Sequence, residues 1–422
     1  MHKYTLINEK NNNIFIWNYI AFLFLGISGI SLNLIISFFY EPKTLGIFNQ
    51  TIAIYIIFSM LGSGGINFSV LRSIASSKGK EIVEIIIGAL IPNFFISLFS
   101  AFLLSYLAIP ISKLLESPLL EKSIYCIVPG VFFLSINKVY LGIINGFNQI
   151  KKFSIFNIIR YLLILINLLL ASFNYLQGYK ISIIFSISEL ILFILLSFEI
   201  KNYFKPFCIK KIIKWIKIHT FFGLRSISSG MFIELNSKVD ILLIGYFLSD
   251  NYVGIYSFAA FFTEGLYQLL ATLQNIYNPI IAKMISKNSI KKLEFKINHD
   301  KIRIYFIFLI IAIIGLLLYY LFVNNLKILI LYKSSFPVFS LLIIGLIFSS
   351  GYIPFINIFA MGNKPIWQNI FTGIYVILNI ILNYLLIPLY KINGAALATS
   401  LATILSFLIL KIFSKKLFGL KL

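Results

Sequence analysis

The sequence is poor in charge, and poorer still in acid. Only 12% of its 422 residues are charged and only 14 are Asp or Glu, against 36 Lys and Arg. A soluble domain carries about 25% charged residues, and a chain that is 59% hydrophobic would expose aggregating patches in water. There are three histidines and two cysteines, with no CxxC and no clustered His/Cys set. No metal site or other cofactor is expected. No GxxxxGK[ST] run exists, so a nucleotide-binding loop is excluded and any uphill work must draw on another source.

What the chain has instead is apolar runs long enough for a bilayer core of about 30 Å, which takes about 20 residues per helix. These predict an all-α polytopic membrane protein of about twelve transmembrane helices. They fall at 14–39, 47–71, 83–110, 123–147, 154–175, 181–200, 221–247, 253–281, 303–323, 337–360, 368–388 and 393–412. The first thirteen residues are polar and no small-residue cleavage site follows the first run, which reads as a retained helix.

The net charge of +22 invites a nucleic-acid reading, but its placement argues for membrane topology. Alternate gaps, counted with Arg160, Arg303 and Lys411 at the adjoining span ends, hold 26 Lys and Arg, the other set holds 7, and Lys138, Arg225 and Lys238 lie further inside spans. The basic gaps belong on the cytoplasmic side, so both termini are expected there, with no nucleic-acid partner. In this layout Cys126 and Cys208 lie on opposite sides and are not expected to pair. The outer gaps are short and leave no room for an outer catalytic domain; no enzymatic activity is expected.

The organisation reads as a six-helix lobe (1–200), a linker (201–220) and a second six-helix lobe (221–422). Within the linker Ile209, Ile212, Ile213 and Ile216 follow helical spacing, with Lys210, Lys211, Lys214 and Lys217 on the other face. This is an amphipathic helix expected to lie in the interface, apolar side in the headgroups and lysines toward anionic lipid. The lobes look related. Phe39–Phe48 aligns with Phe247–Tyr256, including Gly46 with Gly254, at an offset of 208. Asn167 aligns with Asn379, and Tyr179-Lys180-Ile181 with Tyr390-Lys391-Ile392, at 212 and 211. Six spans per half make this a parallel repeat, able to rock about a shared cavity.

A charge in hydrocarbon costs about 2.5–3.5 kcal/mol on insertion scales, so Lys138, Glu234, Lys238 and Glu264 need a reason. Glu234 and Lys238 are i, i+4 and share a face, whereas Asp240 lies about 120° around the helix from Glu234. Glu234, Glu264 and Asp240 are candidate proton or cation sites; the alternative is ion pairing or hydrogen bonding that pins helices. Lys138 is the cation of the first lobe, suited to an anionic ligand or to a cross-helix pair. Arg72 and Arg225 sit near span ends, where snorkelling to headgroups competes with binding an anion. Asn137, Asn236, Gln268, Gln274 and Asn275 are hydrogen-bonding groups at similar depth. Gly62, Gly64 and Gly65 in the second span allow a close helix contact or a bend.

Several stretches, taken in order, carry a resemblance. Pro42–Ala75 has a Gly opening the helix (Gly46), a small-residue stretch (Gly62 to Gly65) and Arg72 at its end. Phe222–Pro279 has Asp240 before an apolar run, then Val253-Gly254-Ile255-Tyr256 and Pro279. Asn379–Thr399 has an Asn-rich helix, an Ile-Pro turn and Gly394-Ala395-Ala396. These resemble the polysaccharide transporter family, the Wzx-type O-antigen and capsule flippases of the multidrug/oligosaccharidyl-lipid/polysaccharide exporter superfamily. The resemblance implies a V-shaped two-lobe fold around a polar cavity in the bacterial inner membrane. It implies a flippase for polyprenyl-pyrophosphate-linked oligosaccharide, coupled to protons or sodium and working beside a polysaccharide polymerase. Lys138, Arg72, Arg225, Asn137 and Asn236 would then meet substrate. A multidrug antiporter of the same superfamily is the first alternative, and a polysaccharide polymerase, with its large outer loop, the second.

Overall fold

The computed structural model describes residues 2–77, 81–203 and 208–422; within these, the side chains of 2–16, 18–19, 22–23, 202, 227–234 and 236 lie outside the described set. The described chain is helical throughout. The helices are α1 (His2–Phe39), α2 (Pro42–Ser63), α3 (Ile66–Ser76), α4 (Ile82–Leu114), α5 (Pro118–Gly146), α6 (Ile150–Phe173) and α7 (Ile183–Ile200). They continue with α8 (Ile209–Phe247), α9 (Asp250–Ser286), α10 (Ile290–Asn325), α11 (Ser335–Ser349), α12 (Ile358–Met361) and α13 (Pro365–Phe418). Ten of the twelve apolar runs fall on continuous helix to within a few terminal residues; the second is broken at Gly64–Gly65 and the tenth between α11 and α12. Among the described residues, seven helices are long and apolar enough to cross a membrane alone. The pair α11 and α12, bent by 57°, makes an eighth.

Local chemistry sets the breaks. Prolines open α2, α5 and α13, where the missing N–H is not needed. Asn148, Asn288 and Asn363 take left-handed φ in the turns after α5, α9 and α12, a conformation asparagine tolerates best after glycine. The second span is divided at Gly64 and Gly65, with φ of 55° and 67°, so this glycine run makes a break. Gly62, just before it, makes a close contact, since a methyl there would overlap the Ser135 hydroxyl. The 54-residue α13 is two helices joined at Lys391, whose φ is 53° and ψ −134°.

The chain divides into two compact units, residues 1–39 with 47–234, and residues 40–46 with 235–422. In the first, Ile66 and Val70 of α3, Ile85 of α4, Val139 and Ile143 of α5 and Leu192 of α7 form a fully buried core. Apolar burial drives little inside a bilayer, so interhelical hydrogen bonds matter, at about 0.6 kcal/mol each. Thr51 donates to Ser123 (2.9 Å), which meets Ser182 (2.6 Å), and the Gly130 N–H donates to Ser186 Oγ (2.9 Å). The second unit is centred on aromatics. Tyr319 stacks on Phe339 at 4.1 Å, Phe258 lies against Tyr332 at 4.5 Å with the rings tilted by 30°, and the Tyr319 hydroxyl meets Ser335 at 2.7 Å.

The amphipathic segment is the first part of α8, continuous with the seventh span, and it docks on the first unit. Ile212 and His219 are buried; His219 meets the Ser69 hydroxyl at 2.8 Å and the Ile85 carbonyl at 3.2 Å. Trp215 donates to Glu81 at 3.0 Å, and its Cβ lies 2.6 Å from where a methyl on Gly88 would be. The expectation that all four isoleucines face headgroups is corrected accordingly. Ile212 is enclosed by protein, while Ile209 and Ile213 remain exposed beside Lys210, Lys214 and Lys217.

Candidate functional site

The second unit holds a carboxylate surrounded by neutral donors. Asp240 of α8 accepts from the Tyr256 hydroxyl of α9 and the Thr399 hydroxyl of α13 on one oxygen, both at 2.7 Å. Its other oxygen accepts from the Asn383 and Asn379 amides, at 2.9 and 3.3 Å. Asn379 and Asn383 are i, i+4 and so share a face. Thr399 lies beyond Lys391, so the break in α13 lets one segment present all three groups to the same carboxylate. Among the described residues no Lys, Arg or His forms a salt bridge with Asp240. The Asn383 Oδ1 is buried and without a hydrogen-bond partner among the described residues. The site therefore combines a carboxylate with a spare amide acceptor, and among the described residues no cation pairs with it.

The first unit is arranged differently. Asn137 of α5 is buried and donates to the backbone carbonyl (2.9 Å) and carboxylate (2.8 Å) of Glu189 on α7. Glu189 is fully buried and forms an ion pair with Arg160 of α6. One residue on, the Lys138 ammonium donates to Ser59 of α2 at 2.9 Å. Carboxylate and guanidinium neutralise each other here, and the cluster holds α5, α6 and α7 together.

The repeat makes the difference informative. Near the position of Asp240 the first half has Asn33, which accepts from Asn49 at 3.0 Å. Asn167, the counterpart of Asn379, donates to Ser188, in the position of Thr399, at 2.9 Å. Part of the polar set recurs, without the carboxylate and with Ala171 in the position of Asn383.

The other expected site residues are dispersed. Arg72 and Arg225 are exposed, the first 5.4 Å from the Phe222 ring centre and the second 4.8 Å from that of Phe221. Glu264 is exposed on α9. Gln274 is engaged within the second unit, donating to the Ile353 carbonyl at 3.1 Å and accepting from Asn357 at 3.0 Å. The side chains of Glu234 and Asn236 lie outside the described residues, and with them the Glu234–Lys238 pair. Sequence reasoning missed Glu189, Arg160, Tyr256, Asn383 and Thr399. Glu189 had a signal, being an acid in the middle of the apolar run 181–200.

The described residues thus form two all-helical units, each with a polar cluster inside it. The chain's solved relatives by shape include the lipid II flippase MurJ in an inward closed conformation, with a TM-score of 0.75 and 19% identity over 95% of this chain and 87% of that one. An inward-facing multidrug resistance MATE family transporter of the MOP superfamily matches with a TM-score of 0.72 and 12% identity, over 94% of each chain. The Vibrio cholerae MATE transporter VcmN in its bent form matches at 0.61 and 13%, over 97% of each. A comparison with curated protein sequences gives no match. The model of the polysaccharide biosynthesis protein family matches residues 15–285, well over half of the chain, and the chain belongs to that family.

Proposed function

We propose that the chain is a flippase that moves polyprenyl-pyrophosphate-linked oligosaccharide units from the cytoplasmic to the outer leaflet of a bacterial inner membrane, for O-antigen or capsule synthesis. Membership of the polysaccharide biosynthesis protein family is the observation that carries this reading. The similarity in fold to a lipid II flippase supports a lipid-linked cargo. Both termini are cytoplasmic in this reading, following the excess of basic residues in alternate gaps. Residues 1–200 and 221–422 act as the two lobes of an alternating-access cycle, with a polysaccharide polymerase drawing the product away.

Lys138 meets the pyrophosphate or an acidic sugar, Arg72 and Arg225 meet it on arrival, and Asn236 binds sugar hydroxyls, as would Asn137 once released from its contacts with Glu189. Asp240 is the coupling site, with Glu234 and Glu264 as further acidic groups on the cation path. An anion held by neutral donors in a low-dielectric site gains most by taking up a proton or a sodium ion. Uptake and release there would bias the lobes between their two openings.

A second reading, export of cationic drugs, is favoured by the similarity to multidrug transporters at nearly the same TM-score. One experiment separates the two. In a deletion strain the lipid-linked oligosaccharide is expected on the cytoplasmic leaflet, with surface polysaccharide lost. Wild type restores export, Lys138→Ala restores it poorly, and Asp240→Asn gives a folded, uncoupled protein. Normal outward delivery in the deletion strain, together with sensitivity to cationic dyes, would replace the flippase reading with the drug-export one.

A further inference from the structure

The second unit carries a feature that the transport reading does not use. Between α9 and α10 lies a cleft of about 310 Å³. Leu269, Leu273 and Tyr277 of α9 form one wall. The other is the face of α10 that carries Asp300, Arg303, Ile304, Ile307 and Ile311. From Asp300 to Ile311 is eleven residues, about 16 Å at 1.5 Å per residue, or about one leaflet of a 30 Å hydrocarbon core. The cleft is thus apolar over a leaflet's depth and charged at one end.

The charges at that end are unevenly matched. Asp300 accepts from the Tyr277 hydroxyl at 3.0 Å, from Lys296 at 3.2 Å and from His299 at 3.3 Å. Those contacts occupy the carboxylate. Arg303, one turn further along α10, has an exposed side chain with no hydrogen bond or ion pair among the described residues. It also borders a second, adjoining cleft of about 450 Å³, formed with His299, Ile302 and Phe306. Ile302 and Phe306 are 65% and 69% exposed, so this second groove is apolar and open to the surroundings. One guanidinium therefore stands at the head of two apolar grooves.

We infer that this is a binding site for one diacyl anionic phospholipid. The phosphate sits on Arg303, whose planar fork suits a phosphodiester oxygen pair. One acyl chain fills the α9/α10 cleft and the other lies along Ile302 and Phe306. The excess of cation over acid at the mouth selects an anionic headgroup, and two grooves rather than one select a two-chain lipid over a single prenyl chain. In the orientation proposed above the lipid belongs to the cytoplasmic leaflet, where anionic headgroups attract basic segments. The lipid would wedge α9 against α10 and act on the second unit from outside its polar cluster.

The test is lipid retention by the purified full-length chain, read by native mass spectrometry after a detergent wash in the presence of phosphatidylglycerol. Wild type is expected to keep one phosphatidylglycerol, and Arg303→Gln to lower its occupancy at least tenfold with circular dichroism and elution volume unchanged. Arg303→Lys should fall between them. Ile307→Trp, which fills the cleft and keeps the arginine, should also lose the lipid. Equal retention by Arg303→Gln, or equal retention of zwitterionic phosphatidylethanolamine, would overturn the proposal. So would displacement of phosphatidylglycerol by an equal concentration of polyprenyl phosphate, which would assign the cleft to the single-chain cargo.

Discussion

Gly46 and Gly254 occupy matching positions in the two repeats, and the structure brings them together. A methyl on Gly46 would overlap the carbonyl oxygen of Asp250 and lie 2.9 Å from the Gly254 nitrogen. A methyl on Gly254 would overlap the carbonyl oxygen of Pro42 and lie 3.1 Å from the Gly46 nitrogen. The obstructing atoms are backbone, so no side chain can rotate away and the first turns of α2 and α9 must separate. Overpacking of this kind costs about 3 kcal/mol, the upper part of its usual range. The gain in helix propensity from Gly to Ala returns about 1 kcal/mol. A net loss of about 2 kcal/mol corresponds to a fall in Tm of about 4–8 °C. Thermal unfolding in detergent, at one fixed scan rate because membrane proteins unfold irreversibly, should show this for Gly46→Ala and Gly254→Ala alike. The double variant should fall little further, since the first methyl opens the crossing for the second. Gly373→Ala, where nothing lies within 4 Å, is the control and should not lower Tm. Unchanged Tm in either single variant, or additive losses in the double, would refute the crossing.

His219 should make stability depend on acidity. Burial holds its pKa down at about 4, against about 6.5 in an unfolded chain. Its contribution is therefore complete above pH 6.5 and is lost as pH falls toward 4, by about 3 kcal/mol in total. A Tm series over that window should slope for wild type and flatten for His219→Phe. In the first unit, Glu189→Ala strands the Arg160 guanidinium and should destabilise by about 3–5 kcal/mol, whereas Glu189→Ala with Arg160→Leu should recover much of the loss. A thermal double-variant cycle measures it. Lys391 holds a backbone conformation suited to glycine, so Lys391→Gly should raise Tm by a few degrees, on relief of about 1 kcal/mol of strain.

The helices were legible because hydrocarbon leaves the backbone few alternatives, and the apolar runs of bilayer length became helix, two of them with an internal break. Partners were harder. Asp240 stood out as a charge in an apolar run, but Asn379, Asn383 and Thr399 lie some 140 to 160 positions later, and nothing local announces that they converge. Arg160, six residues into its span, was assigned to the basic flank; only the geometry shows it reaching back to Glu189. The repeat aligned Gly46 with Gly254 without revealing that the two touch. In the linker, helical spacing put Ile209, Ile212, Ile213 and Ile216 on one face, yet such a face can meet lipid or protein, and of the four only Ile212 is buried. Ile212 meets protein because Gly88 leaves room for the helix to approach.

The repeats also separate what packing needs from what chemistry needs. In the first half Asn33 with Asn49, and Asn167 with Ser188, join the corresponding elements through neutral hydrogen bonds. Those two bonds join their helices without a carboxylate. In the second half Asp240 replaces the neutral group, at an insertion cost of about 2.5–3.5 kcal/mol, and draws four donors toward itself. A neutral side chain could accept two of those bonds and satisfy the helices as its counterpart does. The proposed coupling role gives a reason for that charge: in a neutral-donor site it is available to a proton or a cation. That is why Asp240→Asn, which restores the chemistry of the first half, is expected to spare the fold and remove the coupling. The same substitution at Glu189 would instead unbalance Arg160, because that carboxylate already has its cation within the protein.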